Sequence, residues 1–262
     1  MKERLDIRLV KDDLAKSRER AKELIKKGAV TVNGAVVNKA SALVDESDVI
    51  EAEEDLAYVG RGALKLEKAL DCFKVSPEGL VCADIGASTG GFTEIMLLRG
   101  AKKVYAVDVG HSQLAESLCA DPRVVNMEGC NARYLTPESF SEPIQFISMD
   151  LSFISLTKVM GAVASCAAEG ADIIALIKPQ FEAGKSALNK QGVVSSRKAH
   201  IEVLKGLLSF FSGCGFAVKQ LTFSPVRGGS GNIEYLVHLC KGDEPDNVFD
   251  IKSLVDTAFE SL

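Results

Sequence analysis

From residue 80 onward, short apolar runs alternate with longer segments whose apolar positions recur every three or four residues. The runs predict strands at 80–85, 102–107, 123–127, 144–149, 171–177, 215–223 and 233–240. Helical segments fall near 91–99, 111–119, 154–168 and 196–212. This alternation predicts an α/β fold, with a mostly parallel sheet covered by helices on both faces. No long helix separates the last two strands, which predicts an antiparallel hairpin at one edge. Residues 246–262 read as a short C-terminal tail with residual helix.

The first 56 residues follow a different pattern, helix, helix and hairpin, and predict a separate small α+β domain. Ser17 can cap a helix through RERAKELIKKG, stopped by Gly28, with Ala21, Leu24 and Ile25 as its core face. VTVNGAVVN places Asn33-Gly34 between β-branched runs, a hairpin signal. A third helix, RGALKLEKALDCF, opens the large domain (57–245), with Leu66, Ala69, Leu70 and Phe73 on its buried face. Arg61, Lys65 and Lys68 share another face by their spacing.

Charge changes this picture, because it is segregated. Residues 1–44 carry eleven Lys/Arg against six Asp/Glu, and residues 45–55 carry seven acids and no base, although the whole chain is at −5. Arg18, Lys22 and Lys26 line one helical stripe. With Arg4, Arg8 and Lys11, and Arg61 and Lys68 further on, they are the candidate contacts to an RNA backbone. Composition adds exclusions. Seven cysteines without a C-x-x-C pair argue against a disulfide framework and a zinc site, and three scattered histidines against a metal cluster. No apolar run approaches the roughly 20 residues that span a bilayer. The N-terminus has no apolar signal region, so the expected compartment is the cytoplasm, with no membrane and no metal partner.

The candidate chemistry lies at strand ends. VCADIGASTGGFTE follows the first strand of the large domain. Asp84 ends that strand, and the loop Gly86, Ala87, Ser88, Thr89, Gly90, Gly91 turns into a helix at Phe92. The spacing G-x-x-x-G-G is not the G-x-G-x-x-G of pyrophosphate binders. The second strand ends at Asp108, an acid able to accept the hydroxyls of an adenosine ribose. An acid, a glycine turn and a second acid suit S-adenosylmethionine, with Asn131 in GCNAR as a candidate adenine contact. Each half alone describes an ordinary strand–turn–helix connection; together they favour the cofactor.

FISMDLSFISL presents Asp150 at the end of strand four, without the paired prolines that amino-methyltransferases place there. LIKPQF presents Lys178 at the end of strand five, where Pro179 stops the ladder. Ligands of open α/β sheets sit outside the carboxyl ends of the strands. Lys65, Asp150, Lys178 and Glu234, which begins the antiparallel last strand, can therefore meet around one pocket.

These residues carry a resemblance. RLDIRLVKDDLAKSRERAKELIKKGAVTVNGAVVNKASALV is similar to the small RNA-binding domain first known from ribosomal protein S-four. DIGASTGGFTE and the four polar positions resemble the FtsJ-type ribose methyltransferases, whose Lys-Asp-Lys-Glu tetrad falls on Lys65, Asp150, Lys178 and Glu234. With YVGRGALKL at the junction, nearly the whole chain resembles the TlyA (hemolysin A) family. That implies a Rossmann-like S-adenosylmethionine-dependent methyltransferase sheet, and methylation of cytidine 2′-hydroxyls in ribosomal RNA, small or large subunit. Two departures are Thr89, where FtsJ relatives carry proline, and Cys130, where some carry an acid.

A ribose hydroxyl is a poor nucleophile, so such an enzyme must position it and ease loss of its proton. Lys178 is expected nearest the attacking oxygen, as proton acceptor or as electrostatic stabiliser, with Asp150 orienting it and Glu234 holding Lys65 or the ribose. Two other readings are a non-catalytic RNA-binding assembly factor and a membrane-lytic protein. Intact glycines and tetrad argue against the first, and the lack of a basic, aromatic-rich amphipathic stretch against the second.

Overall fold

Asn33 and Gly34 both adopt left-handed backbone, with φ of 53° and 78°, as a two-residue hairpin turn requires. The turn joins β2 (Val30–Val32) to β3 (Ala35–Val36). The computed structural model describes the chain except Met1, Lys16, Lys27, residues 53–57, Gly229, Asp243, Glu244 and Asp246, and the side chain of Arg20. It divides into two units, Met1–Ala57 and Tyr58–Leu262. The expected boundary between 56 and 57 lies outside the described residues.

In the small unit, β1 (Glu3–Arg4) leads into α1 (Leu5–Lys11) and α2 (Arg18–Lys26). β1 pairs antiparallel with β4 (Leu43–Val44), and β2 lies between β3 and β5 (Ile50–Ala52). Leu5, Leu9, Ala21, Leu24, Ile25, Val30 and Val44 form its core. The apolar stripe of α2 is thus the one that its helical period predicts.

The large unit begins with α3 (Gly62–Phe73), β6 (Val81–Ile85), α4 (Gly91–Leu98), β7 (Lys103–Asp108), the short α5 (Glu116–Cys119) and β8 (Val124–Glu128). There follow β9 (Ile144–Met149), α6 (Met160–Cys166), β10 (Ala167–Ile177), α7 (Pro179–Glu182), α8 (Arg197–Gly213), β11 (Phe216–Phe223), β12 (Tyr235–Lys241) and α9 (Ile251–Ser261). The seven strands lie in the order β11-β12-β10-β9-β6-β7-β8. β12 runs antiparallel to both neighbours, and the other pairings are parallel. The strand order reverses between β6 and β9, which opens a crevice at their carboxyl ends.

Side-chain alternation gives the sheet two cores. Val81, Ala83 and Ile85 face α6, α8 and α9, with Met160, Leu204, Phe211 and Val255. Cys82, Val104, Phe146, Ile174, Leu176 and Leu236 face α3, α4 and α5, with Leu66, Leu70, Phe92 and Ile95. The C-terminal segment is part of the first core, since Val255 and Ala258 of α9 are fully buried. No helix among the described residues is long and apolar enough to cross a membrane.

Three elements differ from their periodicity. The segment 111–119 is helical only at Glu116–Cys119, because residues 112–114 give their backbone amides to Glu128 instead. The segment 154–168 splits into a 3-10 turn at Leu156–Lys158 and the helix α6. β10 begins at Ala167, before an irregularity that restores pairing at Asp172.

Candidate active site

Strand period two decides which residues meet at the crevice. On β9, Phe146 and Ser148 face α3 and α4, so Asp150, two further on, does as well. On β10, Ile174 and Leu176 place Lys178 on that same side. β12 pairs Tyr235 with Ile177, so its start lies at the end of β10. Glu234 then shares a side with Leu236. Lys65 descends on them from α3.

The four polar residues form one chain of alternating charge. Lys65 Nζ donates to Glu234 Oε2 at 2.7 Å and lies 3.8 Å from Asp150 Oδ2. Lys178 Nζ is 2.6 Å from Asp150 Oδ1 and donates to Ser152 Oγ at 2.8 Å. Lys65, Lys178 and Glu234 are buried, at 8%, 8% and 2% exposure; such burial of charge is tolerated only when it is paired. The two lysines do not face each other, because Asp150 stands between them. Gln180 Nε2 adds a 3.4 Å bond to Glu234 Oε1. Next to Glu234, Tyr235 is fixed by buried His200, whose Nδ1 is 2.8 Å from the phenol and whose Nε2 is 2.9 Å from Val194 O. Nε2 must donate to that carbonyl, so Nδ1 accepts from the phenol, and burial lowers the His200 pKa in favour of this neutral form.

Lys178 ends its strand in extended backbone, φ −111° and ψ 100°, and Pro179 is the first residue of α7. Proline disfavours helical backbone in the residue before it and lacks the amide that would continue the ladder. The side chain is thereby held at the rim.

Beside this chain lies a cavity of about 540 Å³, lined among others by Gly86, Ser88, Asp108, Asn131, Asp150 and Phe153. A smaller one of about 210 Å³ adjoins Arg61, Ala87, Thr89, Gly91, Phe92 and Lys178, and shares Gly86, Ser88, Asp150 and Ser152. Gly86 has φ 89°, and a Cβ there would stand 2.6 Å from the Asp150 carbonyl oxygen, so the crevice narrows where only glycine fits. Gly90 and Gly91 are buried at the start of α4.

Asp108 accepts from the Ser88 amide at 2.8 Å and the Gly110 amide at 2.7 Å, which ties the glycine loop to β7. Each oxygen keeps a further lone pair. Asn131 lines the large cavity, but its Oδ1 accepts from the Arg133 amide and Nε, at 3.1 and 3.2 Å. Asp84 lines neither cavity. It is fully buried beneath the loop, accepting from Thr93 Oγ1 at 2.7 Å and Ser148 Oγ at 3.2 Å. Burial pushes its carboxyl up to about 7 against those bonds.

The basic candidates separate. Arg61 lines the small cavity. Lys68 lies over the Phe223 ring, 4.0 Å from its centroid, and burial lowers its pKa. Their supposed common face therefore has three fates, with Lys65 in the charge chain. In the small unit Arg8 is tied to Asp12 at 2.5 Å and Asp45 O at 3.1 Å, and Lys11 is paired with Glu3 at 3.0 Å. Arg4, Lys11, Arg18, Lys22 and Lys26 are exposed.

Two residues without a sequence signal complete the site. Ser152 is the second partner of Lys178. Glu128 collects the amides of Ser112, Gln113 and Leu114 at 2.7–3.0 Å. These three bonds hold its carboxyl down at about 2 and fix the segment that carries Gln113 into the large cavity.

Residues 58–241 match the FtsJ-like methyltransferase family, and residues 3–50 match the S4 domain. The chain is 47% identical over 240 residues to YqxC of Bacillus subtilis, a candidate rRNA methyltransferase, covering 91% of this chain and 85% of the relative. It is 40% identical over 261 residues to the 16S/23S rRNA (cytidine-2′-O)-methyltransferase TlyA of Mycobacterium tuberculosis, covering 99% and 97%. A solved structure of a candidate hemolysin from Streptococcus thermophilus superposes with a TM-score of 0.80 at 45% identity, covering 99% and 96%. An open sheet with a charge chain at its switch point, preceded by a small S4 unit, thus places the chain in the FtsJ-like methyltransferase family, among its TlyA members.

Proposed function

We propose that the chain uses S-adenosylmethionine to methylate the ribose 2′-hydroxyl of a cytidine in ribosomal RNA. The observation that carries this reading is the Glu234–Lys65–Asp150–Lys178 chain, set at the switch point beside a cavity of small-ligand size. The TlyA relative, named for this reaction on both subunits' RNA, covers the same two units.

The residues present fit the cofactor. The large cavity has Asp108 for ribose hydroxyls, Asn131 and Gln113 at its wall, and a Gly86 turn that no side chain obstructs. Arg61 in the small cavity suits the amino-acid carboxylate. When bound, the cofactor supplies a methyl group already activated on a sulfonium.

The protein's own task is the acceptor oxygen. Lys178 stands nearest it, with Asp150 and Ser152 fixing its Nζ from two sides. A free-base Lys178 accepts the hydroxyl proton; an ammonium Lys178 instead stabilises the alkoxide as it forms. Lys65 and Glu234 hold Asp150 and the ribose side of the rim. Phe153, 91% exposed at the cavity lip and tilted on Phe181 with 5.2 Å between ring centroids, offers a face on which an unstacked base can lie. The small unit grips RNA through its exposed basic residues.

The test is nucleoside analysis after incubation of the chain with unmodified ribosomal RNA and methyl-labelled S-adenosylmethionine. Label is expected in 2′-O-methylcytidine. Label confined to base-methylated nucleosides, or absent from RNA, would refute the reading.

A further inference from the structure

Asp6 is a fully buried carboxylate in a stretch, residues 1–44, that is otherwise surplus in positive charge. It lies in the first turn of α1, and its two oxygens meet arginines from two different elements. Arg4, at the end of β1, donates Nε to Oδ1 at 2.8 Å and Nη2 to Oδ2 at 3.2 Å. Arg18, the first residue of α2, donates Nη2 to Oδ2 at 3.1 Å. The Arg4 hydrogen bonds, joined by Arg18 and opposed by burial, hold the Asp6 carboxyl down at about 2.

The buried acid is shared by two side chains that are not buried. Arg4 is 43% exposed and Arg18 51%, against 13% for Arg8, which is pinned between Asp12 and a carbonyl. No partner for Arg4 Nη1, or for Arg18 Nε and Nη1, occurs among the described residues. Arg8 is a largely covered staple, with Nε on Asp12 and Nη1 on the Asp45 carbonyl. Arg4 and Arg18 are held from beneath, with donors left to face solvent.

A guanidinium recognises phosphate by presenting two parallel donors in a fixed plane. Fixing that plane in advance removes the ordering cost that a free arginine meets on binding. We propose that Arg4 and Arg18, joined through Asp6, form a single preorganised subsite for one phosphodiester of an RNA backbone, with Asp6 as its positioning residue. This rests on the reading that the small unit binds RNA. Asp6 lowers the local charge by one, yet organises both cations toward the same ligand.

That opposition gives a direct test. Asp6→Asn in the full chain raises the positive charge of the surface. Counterion release alone would then make binding tighter. The subsite requires the reverse, a loss of about tenfold in affinity for protein-free ribosomal RNA, as for losing a charge-assisted bond. Cofactor affinity should not change. Unchanged or tighter RNA binding by a folded Asp6→Asn chain would overturn the proposal.

Should that variant unfold the small unit, a cycle of Arg4→Ala, Arg18→Ala and the double variant decides. One shared phosphate makes the double loss little larger than either single loss, whereas two independent contacts multiply. Multiplying losses would overturn the shared subsite while leaving RNA binding by this unit intact. If neither arginine variant nor Lys22→Ala nor Lys26→Ala alters RNA affinity, the RNA-binding reading itself falls, and the subsite with it.

Discussion

Asp150 and Asp6 each stand between two cations, and the two clusters differ in what surrounds that motif. At the rim of the large unit the cations are lysines, both buried, and Glu234 supplies a second acid, so charge balances along the chain. In the small unit the cations are arginines, both half exposed, and one acid leaves a positive surplus. Lysine can lose its proton when its surroundings demand it, and arginine cannot. Balanced, buried lysines suit a fixed constellation around a single hydroxyl. Surplus, exposed arginines suit a permanent grip on phosphate. The same carboxylate serves as a spacer in one unit and as a pedestal in the other.

The strongest way to break this contrast is to unbalance the rim. Glu234→Gln leaves buried Lys65 with Asp150, at 3.8 Å, as its one carboxylate among the described residues. Methyl transfer should fall by about a hundredfold, within the range of lost electrostatic stabilisation at an active site, with cofactor affinity nearly unchanged by calorimetry. Asp108→Ala leaves both clusters intact and isolates the cofactor cavity. It should weaken S-adenosylmethionine binding by about 1.5–3 kcal/mol, as for hydrogen bonds to a charged acceptor; a folded variant of normal affinity would remove Asp108 from that site. Gly228→Ala presses on the same rim from outside, because a Cβ there collides with the Glu234 carboxylate. The side chain can swing away, so a loss of about tenfold in turnover is expected, smaller than for Glu234→Gln. Equal losses would mean that Glu234 cannot move.

The smallest effect sharpens the other half. The Asp6 carboxyl, at about 2 in the folded chain against its ordinary 3.8, is depressed by folding. Its stabilisation is therefore complete above the ordinary value and is lost as pH falls through about 2. Denaturation of the full chain, followed by probes in the small unit, should show stability declining across that window. Asp6→Asn should flatten the decline. An unaltered decline would show that Asp6 does not carry it.

Much of the rim was legible because strands report their sides by alternation. Ile174 and Leu176 already implied the side of Lys178, and Phe146 that of Asp150. The glycine loop and Asp108 were legible because few connections need those residues at those places. The stripe Arg61, Lys65 and Lys68 shows the limit of such reasoning. Helical period groups residues by face, but what packs on that face sent them to a cavity, a charge chain and an aromatic ring. Asp84 looked like a ligand contact because it ends a strand, yet the same alternation that carries Asp150 to the rim turns Asp84 under α4, where Thr93 and Ser148 satisfy it. Glu128 was invisible, since its partners are backbone amides 14 to 16 residues earlier and no side-chain pattern marks them. Arg8 and Lys11 looked like Arg4 and Arg18 in charge; only the acids beside them tell the pairs apart.

The proposed chemistry turns on Lys178. The decisive measurement is single-turnover methyl transfer to ribosomal RNA by Lys178→Ala, with S-adenosylmethionine and RNA binding measured on the same preparation and Lys178→Arg alongside. Transfer should disappear while both ligands still bind. Retained activity in the arginine variant would assign Lys178 the electrostatic role; an arginine variant as inactive as alanine supports the proton-accepting one once its structure shows the guanidinium in the ammonium's place. Normal transfer by a folded Lys178→Ala chain would contradict the assignment of the charge chain as the catalytic centre.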